Sequence, residues 1–109
     1  MALLYITEFA RFGRDGGGYG GPVGEQAPLA SQAIATSAVS AQSAAFNAST
    51  RLVRLHNDST SPIMVKFGTN PTAVTLVDAR MAANTTEYFM LDASQAAITP
   101  FKVAAITGA

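Results

Sequence analysis

A chain of 109 residues fits a single domain. Seven basic and seven acidic side chains cancel, which leaves no electrostatic footprint for nucleic acid or an anionic membrane surface. Cysteine is absent, which excludes disulfide staples and thiolate zinc sites and leaves the redox compartment unreadable.

Residues 3–9, Leu-Leu-Tyr-Ile-Thr-Glu-Phe, have strand composition, with Tyr5, Thr7 and Phe9 on one face and Leu4, Ile6 and Glu8 on the other. Apolar groups on both faces predict cover on both sides. The segment lacks a basic flank and a long apolar core, so a secretory signal is not expected. Gly13–Gly24 follows, with seven glycines in twelve residues. Glycine is costly to order and fills no core, so this stretch reads as a flexible or irregular linker. The expected division is therefore an N-terminal arm and linker over 1–30 and a β-sandwich domain over 31–109. The plainer alternative is an ordinary strand of the same domain followed by a long loop.

Residues 26–50 carry no charge and are rich in Ala, Ser, Gln and Thr. Alanine favours helix, yet no apolar stripe of helical spacing accompanies it. Extended structure is expected, with strands near Gln32–Thr36 and Ala44–Phe46; a short helix is the alternative. An uncharged surface of small residues suits contact with another protein surface, and low-complexity filler is the plain reading beside it.

The strongest pattern lies at Arg51–Gly68. Val53 and Leu55 are two apart, as are Ile63, Val65 and Phe67, with a polar break at Asn57–Pro62. This predicts two strands and a connection, a hairpin at the centre of the domain that needs further strands to bury its face. Gly68-Thr-Asn-Pro71 reads as a turn. Val74–Val77 is a short strand candidate, and Asp78–Asn84 a loop with room for one helical turn. Glu87–Leu91 is the next strand, Asp92–Pro100 a connection, and Phe101–Ile106 the last strand. No run approaches the ~18 apolar residues of a membrane span. The predicted fold class is all-β: an antiparallel β-sandwich, jelly-roll-like, or a small barrel, with an extended N-terminal arm.

Chemistry is sparse. His56 is the single histidine and is expected at the surface or in the turn, with no nucleophile-elbow serine to serve. The acidic residues Asp58, Asp78, Glu87 and Asp92 lack calcium-loop spacing and suit turns. Gly16–Gly21 lacks the Lys-Ser/Thr ending of a phosphate loop. Asn47-Ala-Ser49, Asn57-Asp-Ser59 and Asn84-Thr-Thr86 match the glycosylation pattern by chance in a Ser/Thr-rich chain. Arg51 and Arg54 are expected in ion pairs with a neighbouring strand or subunit. Catalytic, cofactor-binding and metal-binding residues are expected to be none, and the protein is not expected to be an enzyme. The candidate protein-interaction residues are Leu4, Tyr5, Ile6, Phe9, Phe12 and Tyr19, whose plain role is core burial.

Alanine supplies 21 of the apolar residues, so large apolar side chains are few. With residues 1–30 set aside as an arm, a remainder of ~80 residues is marginal alone. This predicts a homo-oligomer, a trimer being one candidate, or tight docking on a larger assembly.

Three segments resemble small structural proteins of tailed bacteriophages. Thr50-Arg-Leu-Val-Arg-Leu55 is similar to one of their strands. Phe67-Gly-Thr-Asn-Pro-Thr-Ala73 and Met81-Ala-Ala-Asn-Thr-Thr-Glu-Tyr-Phe89 follow in the same order, and the opening Leu4-Tyr-Ile-Thr-Glu-Phe9 is similar too. The resemblance covers about two-thirds of the chain. It implies a β-sandwich protein of the virion, a decoration or cement protein on the outer capsid surface, with the major capsid protein and its own copies as partners and neither nucleic acid nor membrane. The alternative is a tail- or head-fibre-associated module that recognises a host surface glycan. The resemblance transfers no active-site residue.

Overall fold

The computed structural model describes residues 2–10, 12–14, 20–24, 28–75, 78–91 and 101–107. Among them are ten strands and no helix. The strands are β1 (Leu3–Phe9), β2 (Phe12–Arg14), β3 (Gly20–Gly24), β4 (Ala30–Ala35), β5 (Ala41–Gln42), β6 (Leu52–Asp58), β7 (Ile63–Gly68), β8 (Ala79–Met81), β9 (Thr86–Met90) and β10 (Lys102–Thr107). Sheet I has the order β4-β1-β6-β9, and sheet II the order β5-β10-β7-β8. Every pairing is antiparallel, and β2 with β3 forms a separate two-stranded ladder. The sheets pack together as a β-sandwich and do not close into a barrel.

The expected central hairpin is not formed. β6 pairs with β1 and β9 in sheet I, whereas β7 pairs with β10 and β8 in sheet II. The chain crosses between sheets at residues 59–62. The reason is burial: Val53 and Leu55 of β6 face Ile63 and Val65 of β7 across the core, where all four are buried. A flat hairpin would have left this shared apolar face on one side, in need of another cover.

β1 likewise departs from the arm expected over residues 1–30. It lies between β4 and β6, with Leu4, Ile6 and Glu8 turned into the sandwich. Full burial of side chains such as Leu4 and Ile6 is worth about 1.5–3 kcal/mol each, which holds the strand in its own domain. Set β2 and β3 aside, and the eight strands divide four and four between the two sheets, in the arrangement of a jelly roll. Here β1 holds the place that a jelly roll gives to its last strand. The two ends of the sandwich chain meet accordingly. Thr36 N–H donates to Ala2 O (3.1 Å), and Thr107 N–H donates to Ser37 O (2.8 Å).

The glycine-rich stretch is paired where it is described. Phe12 faces Gly24 and Arg14 faces Gly20, with a register shift between them. A backbone ladder needs no side chains, so glycine does not forbid it, and a shift of this kind marks a bulge. β3 lies against β6. The face of β6 turned away from sheet II is the outer face of sheet I. Phe9 and Leu52, register partners on that outer face, are both buried.

Sheet II has its own cover. The segment after β7 folds back over the outer face, where Gln42 Nε2 donates to Asn70 Oδ1 and Pro71 O, both at 2.8 Å. Ala73 N–H donates to Ser40 Oγ (3.0 Å). Met64 and Ala104 are outer-face residues of sheet II, yet both are buried. Val74 and Thr75 are not in a strand. Val74 N–H donates to Asp78 Oδ2 (2.7 Å) and Asp78 N–H to Val74 O (3.2 Å), so the carboxylate closes a turn where a strand was expected. Leu76, Val77 and the expected connection Asp92–Pro100 lie outside the described residues.

Candidate interaction surface

Period-2 alternation places Tyr5, His56 and Thr86 in one row across the outer face of sheet I, and Thr7, Arg54 and Tyr88 in the next. His56 sits inside β6, half-buried, rather than in the turn, because β6 runs on to Asp58. Its Nδ1 lies 2.8 Å from Thr86 Oγ1, a cross-strand pair between register partners. Tyr5 is 41% exposed and Met90 59% exposed. This face is polar and aromatic, with one imidazole and one guanidinium.

Four of the six candidate interaction residues have a described side chain. Leu4, Ile6 and Phe9 are buried within the chain's own fold and are closed to a partner; Tyr5 alone faces outward. Phe12 stands in β2, of which the backbone is described, and Tyr19 lies outside the described residues. Alternation already set Leu4 and Ile6 on the face opposite Tyr5; pairing decides that theirs is the inner face and that Phe9, on Tyr5's side, is covered.

Other polar side chains are occupied in building the sandwich. Glu8, buried, accepts hydrogen bonds at Oε1 from Asn47 N–H (2.7 Å) and Thr50 Oγ1 (2.8 Å). Arg51 donates from Nη1 to Ala48 O (2.8 Å) and Thr50 O (3.0 Å), so within the described residues it holds backbone carbonyls. Asn57 is fully buried and donates from Nδ2 to Ser61 O (3.0 Å) and Ala82 O (3.1 Å). It therefore ties the β6–β7 crossing to the turn before β9, and its burial closes it to a glycan. In that turn Asn84 has φ 53°, a left-handed conformation that asparagine tolerates. Gln32, on the edge strand β4, clamps the facing segment: Ala44 N–H donates to its Oε1 (2.9 Å) and its Nε2 donates to Ala44 O (3.3 Å).

The uncharged residues 28–50 form one flank of the sandwich. Ser31, Ala33 and Ala35 of β4 are exposed, as are Ser37, Ala38 and Val39 in the turn that follows. Val39 is 74% exposed and Val74 46% exposed, and the Ser40–Ala73 hydrogen bond brings their loops together. An open polar cleft of about 300 Å³ lies at the end of the sandwich, lined by Ala2, Asp58, Ser59, Thr60 and Asn84. Among the described residues no three His, Cys, Asp or Glu side chains gather in a metal-binding group. The exposed valines and the β4 edge escaped sequence reasoning. The usable signal was a stretch with neither charge nor proline, Ala30–Ala35, beside Val39.

Comparison with protein-family models, curated proteins and solved structures finds no match.

Proposed function

We propose that this chain is a non-enzymatic structural protein of a virion, a decoration or cement protein that binds the outer capsid surface and stabilises the shell. The observation that carries the reading is the uncharged flank over residues 28–50, with Val39 exposed at its turn and Val74 on the adjoining loop. Charge depletion marks the centres of protein interfaces. The resemblance to tailed-phage structural proteins supports the same reading. Its segments fall on framework: β6, the end of β7 with its covering loop, and β8 through β9 with the Asn84 turn.

The mechanism is mass action. A protein that binds the assembled shell and not its separated subunits stabilises the shell by its binding free energy. Individually weak contacts multiply over the symmetry of the particle, and an oligomeric binder gains avidity. Localisation on the capsid surface and contact with the major capsid protein follow from this reading.

Co-sedimentation with the particle's own emptied shells tests it. Near-saturating binding of the intact chain, weakened at least tenfold by Val39→Asp, is the expected result. Failure to bind shells, with capture by host cell envelopes, would favour the second reading, a tail- or fibre-associated glycan binder. That alternative draws on the cleft at Asp58, Ser59, Thr60 and Asn84, whose hydroxyl, amide and carboxylate groups suit sugar hydroxyls.

A further inference from the structure

An antiparallel sandwich of this kind has four sheet edges, and each edge strand exposes unpaired backbone groups that can pair with another chain. Three of the four edges here are blunted. β5 spans two residues, and its Gln42 side chain is engaged with Asn70 and Pro71. β8 spans three residues and carries the exposed Arg80. β9 carries Glu87, which is the register partner of Leu55 and therefore sits on the inner face, a charge at an edge that penalises any added strand.

β4 has no such device. It runs six residues, Ala-Ser-Gln-Ala-Ile-Ala, with no charge, proline or glycine. The Thr36 N–H to Ala2 O bond sets the phase of its ladder with β1. In an antiparallel pair the bonded and non-bonded pairs alternate. Ile34, Gln32 and Ala30 thus turn their N–H and C=O toward β1, and Ser31, Ala33 and Ala35 turn theirs away. Among the described residues no strand pairs with that outer side.

We propose that the free edge of β4 pairs with β4 of a second copy of this chain, antiparallel about a two-fold axis at Ala33. Ala33 then lies opposite its own copy, and Ser31 opposite Ala35 of the second copy on either side. Each of these three pairs exchanges two backbone hydrogen bonds, and sheet I continues into its copy. The strand suits itself as partner because it carries no charge. A strand brought against its own copy in antiparallel register sets like side chains near like, and any charge close to the axis would repel itself. The outward side chains at the contact are Ser and Ala, small enough for two sandwiches to approach edge to edge. The contact is isologous and closes at two copies, and the blunted edges elsewhere stop further growth. This inference does not depend on the capsid reading; it concerns the free chain.

Sedimentation equilibrium of the intact chain across micromolar to sub-millimolar concentrations tests it, without capsids. The expected result is a mass rising to twice that of the chain. Ala33→Pro removes an N–H that faces the second copy and that β1 does not use, so it is expected to give a folded monomer. Thr86→Pro, at the start of the β9 edge, is expected to leave the dimer intact. Ala33→Lys, at an exposed position, sets two ammonium groups opposite each other and is expected to weaken dimerisation at least tenfold, which keeps the test valid if the proline variant does not fold. A wild-type chain that stays monomeric throughout overturns the proposal, including the case where β4 pairs only with a capsid protein. So does a wild-type-like dimer in folded Ala33→Pro or in Ala33→Lys.

Discussion

Thr50 donates its hydroxyl hydrogen to the carboxylate of Glu8 across 42 residues of chain, at 2.8 Å and out of contact with solvent. The same oxygen takes the Asn47 N–H, so one buried acid on β1 fixes the loop that leads into β6. Removing it orphans two donors, of which the Thr50 hydroxyl is fully buried. Glu8→Ala is therefore expected to destabilise the fold by about 3 kcal/mol, with Glu8→Gln, which keeps an acceptor oxygen, losing roughly half as much. Denaturant unfolding of the two variants checks the order; equal losses would remove Glu8 from this role.

Asn57 offers a sharper test of chemistry at constant shape. Its Nδ2 donates to two carbonyls, and its Oδ1 is buried without a partner. Asn57→Asp would aim a carboxylate at Ser61 O and Ala82 O and leave them unpaired. A loss of several kcal/mol is expected, larger than the ~2 kcal/mol of Asn57→Ala, since an uncompensated buried charge costs more than a missing hydrogen bond. Thermal unfolding of both variants at neutral pH measures the difference.

Phe67 and Phe89 join the sheets directly. Their ring centroids are 5.1 Å apart at 50°, and Phe46 extends the group at 6.4 Å from Phe67. A double-mutant cycle with Phe67→Leu and Phe89→Leu is expected to return a coupling of about 0.5–1.5 kcal/mol. Additive losses would mean that the rings act only through the area they bury.

The place of β1 makes two predictions about chain ends. Deleting residues 1–24 removes a strand from the middle of sheet I, so the remainder is expected to unfold, as read by circular dichroism, rather than to persist as an armless sandwich. A circular permutant is expected to fold cooperatively when a short Gly/Ser linker joins the ends near Ala2 and Thr107 and the chain is opened between β2 and β3. Those ends bond to the adjacent residues Thr36 and Ser37, and the new order places β1 last among the eight sandwich strands, as in a jelly roll.

Ala104 is an outer-face residue of sheet II at 0% exposure, beneath the folded-back loop that Gln42 and Ser40 hold. Ala104→Leu is expected to cost about 1–3 kcal/mol by overpacking. Hydrogen exchange should rise at Ala73, whose N–H bonds Ser40; unchanged protection there would show that the loop does not depend on a small residue below it.

Strand identity was legible in the residues wherever short runs of large apolar, aromatic and β-branched residues stood between turn residues. Leu3–Phe9, the two runs around Asn57–Pro62, Glu87–Leu91 and Phe101–Ile106 all became strands, with ends moved by a residue or two. The reading failed at Val74 and Thr75, the described part of the expected strand Val74–Val77. There Asp78 supplies a turn acceptor to Val74, and a local side-chain hydrogen bond wins over β-branched propensity. It failed in the other direction at Phe12–Arg14 and Gly20–Gly24, where glycine content hid a backbone ladder. Of the candidate surface, alternation separated Tyr5 and Phe9 from Leu4 and Ile6, but which face is inward, and that Phe9 is covered while Tyr5 is not, depended on neighbours the residues do not name.

By itself the sequence determined an all-β chain, because period-2 spacing commits side chains to faces whatever the strand is paired with. It also determined an uncharged flank over residues 26–50 and the absence of thiol chemistry. Which strands are neighbours was decided only in three dimensions. Backbone ladders are chemically alike, so nothing local tells β6 to pair with β1 rather than β7. That choice came from the joint burial of Val53, Leu55, Ile63 and Val65 between two sheets, and it turned an expected hairpin into a crossing and an expected arm into a central strand. The same choice left β4 at an edge, an attribute that belongs to a strand's surroundings and not to its residues.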